Sequence, residues 1–123
     1  MSYIDGFVLA VPKIKKDAFI QHAGIADAAF MEWGATRILE CWEDDVPDGK
    51  ITDFRRAVQA EEGEAVVFSW IEWPDKATRD AGMEKIMAAM KTDSRISPEK
   101  NPMPFDGMRI IFGGFVPVVK LEK

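Results

Sequence analysis

Ala65-Val66-Val67-Phe68-Ser69-Trp70-Ile71-Glu72-Trp73 is the stretch on which the fold turns. Branched and aromatic residues fill it and Pro74-Asp75 closes it, so it predicts a strand. Both of its phases carry apolar groups, Val67 and Ile71 in one, Phe68 and Trp70 in the other. A half-exposed strand would alternate apolar with polar residues, so this run predicts a sheet covered on both faces.

On its C-terminal side, Asp75 is placed to cap a second long helix, with Met83, Ile86, Met87 and Met90 as its apolar stripe up to Thr92-Asp93-Ser94. Residues 97–107 hold three prolines and predict a loop, and residues 108–119, which contain Gly113-Gly114, predict a last strand. Toward the N-terminus, residues 52–60 are ambiguous, with Phe54, Ala57 and Val58 favouring a short helix over a strand, and Asp44-Asp45-Val46-Pro47-Asp48-Gly49 is a turn-forming surface loop. Residues 36–43 predict a strand. Residues 15–33 repeat Phe19, Ala23, Ala26, Phe30 and Trp33 at helical spacing before Gly34 stops the helix. Residues 3–11 are a first strand ended by Pro12. The order βαββαβ predicts an α+β domain of ferredoxin-like type, a four-stranded antiparallel sheet with both long helices on one face.

At 123 residues and 47% apolar content, the chain suits one domain over residues 1–123. Two helices cover only one sheet face. Val8, Ala10, Leu39, Cys41, Val67 and Ile71 are expected beneath them. The heavier set, Phe7, Leu9, Ile38, Trp42, Phe68 and Trp70, with Asp5, Glu40 and Glu72 interspersed, is expected on the other face. A second copy of the same sheet would cover it, giving a homodimeric α+β barrel.

A net charge of −5 repels phosphate backbones, so nucleic acid is not an expected partner. Cys41 alone permits no internal disulfide, which fits a reducing cytoplasm. No signal peptide or apolar run of membrane-spanning length is present, so no membrane association is expected.

Three tests for chemistry fail on residues. An EF-hand begun at Asp44 would put Val46 and Arg55 where oxygen donors are needed. An RNA-recognition signature over residues 111–118 matches only at Gly114-Phe115-Val116. No phosphate loop, dinucleotide glycine pattern or nucleophile elbow occurs, and neither a metal nor a cofactor is expected. The lone His22 has no carboxylate or second ligand at helical spacing, which makes it a boundary histidine. The remaining candidates are Asp5, Glu40 and Glu72 as catalytic carboxylates in a partly dry cavity, where desolvation raises a carboxyl pKa toward that of a useful base. Pairing with Arg37, Arg55 or Arg109 is the structural alternative. Phe7, Trp42, Phe68 and Trp70 would line the ligand site, between the sheet and the first helix or inside the dimer barrel.

Five strings carry a family resemblance: Tyr3-x-Asp5-Gly6-Phe7; Glu40-Cys41-Trp42 through Asp45-Val46-Pro47-Asp48-Gly49-Lys50; Val66 through Glu72; Met103-Pro104-Phe105-Asp106-Gly107; and Gly113-Gly114-Phe115. Together they resemble the bacterial YbaA-like family of unknown function over nearly the whole chain. The resemblance implies a dimeric α+β barrel, an architecture shared with small monooxygenases and muconolactone-type isomerases. The resemblance implies no established activity; by analogy with that architecture the expectation is a small-molecule-binding homodimer with monooxygenase- or isomerase-like chemistry, the alternative being a noncatalytic homodimeric binding or interaction protein. An RNA-linked label attached to some similar chains finds no support in this acidic sequence.

Overall fold

A computed structural model describes residues 1–123. The chain runs β1 (Tyr3–Pro12), α1 (Lys16–Glu32), β2 (Arg37–Trp42), α2 (Phe54–Ala57), β3 (Glu64–Trp73), α3 (Lys76–Ala89) and β4 (Ile111–Phe115). Single 3-10 turns stand at Lys13–Lys15 and Gly107–Arg109. The strands form one antiparallel sheet in the order β2-β3-β1-β4, the ferredoxin-like arrangement expected from the element order.

Local chemistry sets the element ends. The Asp75 carboxylate accepts the Thr78 backbone N–H at 2.7 Å and caps α3, and Asp53 accepts the Arg56 N–H at 2.7 Å to cap the single turn of α2. Gly34 stops α1 at φ +121°, a backbone region that favours glycine. β4 is shorter than the sequence predicts. Its ladder to β1 ends at Ile4↔Phe115, and Pro117 has no N–H with which to continue it. The α3 stripe also differs from expectation: Gly82, Met83 and Ile86 face inward, while Met87 is 70% exposed. Gly82 is what lets α3 approach, since a Cβ there would lie 2.7 Å from the Trp73 ring.

Strand register decides which residues share a face, and it corrects the expected division. Tyr3 pairs with Trp73, Leu9 with Val67, and Trp42 with Val67, so odd positions of β1 and β3 share a face with even positions of β2. Tyr3, Asp5, Phe7, Leu9, Ile38, Glu40, Trp42, Val67, Ser69 and Ile71 therefore lie beneath the helices. Val8, Ala10, Leu39 and Cys41 lie on the opposite face with Phe68, Trp70 and Glu72. The sequence expectation had β3 in the wrong phase relative to its neighbours, because both phases of β3 are apolar and only hydrogen-bond register distinguishes them.

The helix-side core has two parts. Leu9, Val11 and Val67 pack against Phe19 and Ala23 of α1. Tyr3, Ile71 and the fully buried Trp73 pack with Ala35, Phe30 of α1 and Met83 of α3. A third cluster, Ala10, Val66 and Val58, lies on the opposite face, where the segment around α2 folds over one end of the sheet. The rest of that face is open.

Candidate functional site

Asp5, Glu40 and Glu72 occupy three different environments. Asp5 is 3% exposed on the helix side, and both of its oxygens are engaged. Arg79 of α3 donates to it in a fork, Nε at 3.0 Å and Nη2 at 2.8 Å, and the Trp73 indole N–H donates at 2.9 Å. Glu72 lies on the open face, where it accepts the Trp70 indole N–H at 3.1 Å. Glu40 has no cation partner among the ion pairs of the chain. The arginines expected as partners go elsewhere, Arg55 to Glu43 at 2.9 Å and Arg109 to Glu64 at 2.7 Å.

Glu40 instead faces a second carboxyl group. Lys16, Ile20, Ala23 and Asp27 follow one stripe of α1, and that stripe packs across Glu40 and Trp42 of β2. Between them lies a cleft of about 270 Å³ walled by Phe19, Ile20 and Trp42. Asp27 and Glu40 face each other in this cleft, and the buried Ser69 stands beside Glu40 in register on the neighbouring strand. Desolvation, then repulsion by the Glu40 charge and the hydrogen bond to it, push the Asp27 carboxyl up to about 8. Desolvation also raises Glu40, against the lowering pull of Asp27, Ser69 and His22. Asp27 is half-buried, whereas Glu40 keeps much of its surface open, so water reaches the pair through the cleft mouth. Two desolvated carboxyl groups this close, with no cation beside them, disfavour joint ionisation, so the pair favours keeping a proton.

His22 stands one turn away. The Asn101 amide nitrogen donates to the backbone carbonyls of Arg95 at 2.7 Å and His22 at 3.3 Å. Its oxygen therefore faces His22 Nδ1, 2.9 Å away, and that ring nitrogen carries the hydrogen. Phe105 packs edge-on against His22 and also touches Phe19, so the loop after α3 braces this side of α1. At the outer end, Lys16 Nζ lies 5.2 Å from the Trp42 ring centroid.

The four aromatic residues divide in the same way as the carboxylates. Trp42 belongs to the cleft, and Phe7 packs against both helix-side clusters and stacks on Phe112 with ring centroids 6.3 Å apart. Phe68 and Trp70 contact each other on the open face, where they wall a trough of about 680 Å³ with Ile111 and Phe115 opposite. Asp27 was missed by the sequence reasoning. Its signal was present, since it continues the helix stripe of Lys16, Ile20 and Ala23 at helical spacing, but nothing local says which strand residue that stripe meets.

No three His, Cys, Asp or Glu side chains are grouped to hold a metal ion, and no helix is long and apolar enough to cross a membrane.

Residues 2–107 match a family model described as a protein of unknown function, DUF1428. The chain is 56% identical over 119 residues to the uncharacterized protein YbaA of Escherichia coli K12, covering 97% of this chain and 98% of the relative. The protein of the same description from Shigella flexneri matches equally. A solved structure from an uncultured marine organism, described as a dimeric ferredoxin-like protein, has the same fold, with a TM-score of 0.55 at 9% identity over 98% of both chains.

Proposed function

We propose, from the premise that this chain belongs to the DUF1428 family of unknown function, that it binds a small molecule in the α1–β2 cleft and exchanges protons with it through Asp27 and Glu40. The observation that carries this proposal is the pair of facing carboxyls, without a cation partner, in a solvent-reached cleft with aromatic walls. A site of about 270 Å³ lies at the small end of ligand pockets, which suits a metabolite of fragment size. General acid–base work needs one group able to give a proton and one able to take it at the same pH, and two facing carboxyls that resist joint ionisation can supply both. Of the sequence candidates, Glu40 keeps the role of base. Asp5 and Glu72 become structural acceptors, because each holds a tryptophan indole and Asp5 also holds Arg79.

The protein acts as a homodimer joined through the open sheet face. Phe115 at 61%, Ile111 at 44% and Phe68 at 43% exposed form a contiguous apolar surface that water disfavours. The relative of the same fold, described as dimeric, is consistent with this. The lone Cys41 suits a reducing compartment such as the cytoplasm.

Two measurements test the proposal. Fragment screening by NMR should give hits whose shifts cluster on Phe19, Glu40 and Trp42; hits confined to the open sheet face sink the cleft assignment. Sedimentation at micromolar concentration should give a dimer that Phe115→Glu converts to folded monomer. A wild-type monomer removes the dimer.

A further inference from the structure

The cleft is electrically two-ended. Its inner end is the Asp27–Glu40 carboxyl pair, which no cation of the chain neutralises. Its outer end is Lys16, and neither Lys16 nor its neighbours Lys13 and Lys15 enter any ion pair of the chain. In a protein with five more acidic than basic residues, Lys16 on the wall of this cleft, free of any carboxylate, offers an anionic group from outside a cationic contact beside Trp42. Trp42 lies between the two ends. Glu40 and Trp42 are two residues apart on one face of β2, a separation of about 6.7 Å, so a ligand that meets both ends carries its charge a few bonds from its reacting group.

We propose that the ligand of this cleft is a small monocarboxylate bearing an enolisable carbonyl, held at its carboxylate by Lys16 and interconverted between keto and enol forms by Asp27 and Glu40. The inference rests on the proton-exchange function proposed above. A dicarboxylate does not fit, because its second charge would meet the negative end. In the forward step the Glu40 carboxylate removes a proton from the carbon next to the carbonyl. The C–H electron pair becomes the C=C bond, the carbonyl π pair moves to oxygen, and that oxygen takes the Asp27 proton. Asp27 has lost one proton and Glu40 has gained one, so the pair ends with the same charge. Nothing is oxidised or reduced and no co-reactant is consumed.

The test uses phenylpyruvate, an aromatic 2-oxo acid, in D2O, with loss of its C3 proton signal followed by NMR. Phenylacetone, which lacks the carboxylate, is the comparison probe. Supporting results are exchange about 100-fold or more above buffer, lost in Glu40→Gln and Asp27→Asn, and a Lys16→Gln variant whose KM rises about tenfold with a smaller change in kcat. Equal exchange of phenylacetone and phenylpyruvate, with Lys16→Gln silent, overturns the carboxylate assignment but leaves proton exchange at the pair standing. Phenylpyruvate shifting Trp42 and Phe19 resonances without exchanging its C3 proton overturns the keto–enol step while keeping the binding site. Neither shifts nor exchange with either probe overturns both this inference and the function on which it rests.

Discussion

Replacing Asp27 with asparagine tests the proton-sharing pair through stability alone, with no ligand required. In the unfolded chain an aspartate ionises near 3.8, whereas folded Asp27 holds its proton to about 8. Between those values unfolding releases a proton, so the wild-type protein loses stability as pH rises through the window from about 4 to about 8. A fully dry carboxyl would contribute a slope of about 1.36 kcal/mol per pH unit, or about 2.7 kcal/mol between pH 5 and pH 7. Water reaches this cleft and screens the pair, which lowers the expected change to about 1–2 kcal/mol. The asparagine side chain cannot titrate, yet its amide still donates to Glu40. Asp27→Asn should therefore gain on the wild type by about 1–2 kcal/mol as pH goes from 5 to 7. Urea denaturation followed by circular dichroism, at fixed protomer concentration, measures the difference at pH 5, 6 and 7. Parallel pH profiles for the two proteins, or a variant that loses ground to the wild type toward pH 7, would refute the shared proton.

The other predictions concern the frame that holds the cleft. Asp5→Ala strands the partly buried Arg79 and the fully buried Trp73 indole N–H and should cost about 3–5 kcal/mol, while Asp5→Asn, which keeps one acceptor oxygen, should cost less; thermal unfolding gives the order. Gly82→Ala sets a Cβ 2.7 Å from the Trp73 ring and 2.9 Å from the Trp33 carbonyl oxygen, so α3 must move out and stability should fall by about 1–3 kcal/mol. Glu64, which Arg109 holds down at about 2 against 4.5 when unfolded, contributes stability that is fully present above pH 4.5 and fades as pH falls toward 2. Glu64→Gln should be less stable than wild type at pH 7, with the gap closing in that acid window; an unchanged gap at pH 2 counts against the pairing.

How much of this was legible in the sequence depends on the range over which each signal acts. Caps, stops and strand identity are local: Asp75, Gly34 and the run from Ala65 to Trp73 each act within a few residues, and each stands where its chemistry puts it. Sheet faces are not local. In β3 the apolar character of Val67 and Ile71 on one side and Phe68 and Trp70 on the other leaves no polar phase to mark the solvent side, so the sequence could not settle register, and a one-residue slip exchanges the faces. That slip is why Asp5, Glu40 and Glu72 looked like one cluster. In the folded chain they separate into a buried ion pair, a cleft shared with Asp27 and an open-face acceptor. The same register also removes a conflict. With the three carboxylates on one face, the dimer surface and the reactive site would compete for the same residues. With Glu40 turned toward α1 and Phe68 and Trp70 turned away, the sheet gives one face to each, so a dimer can form without filling the cleft.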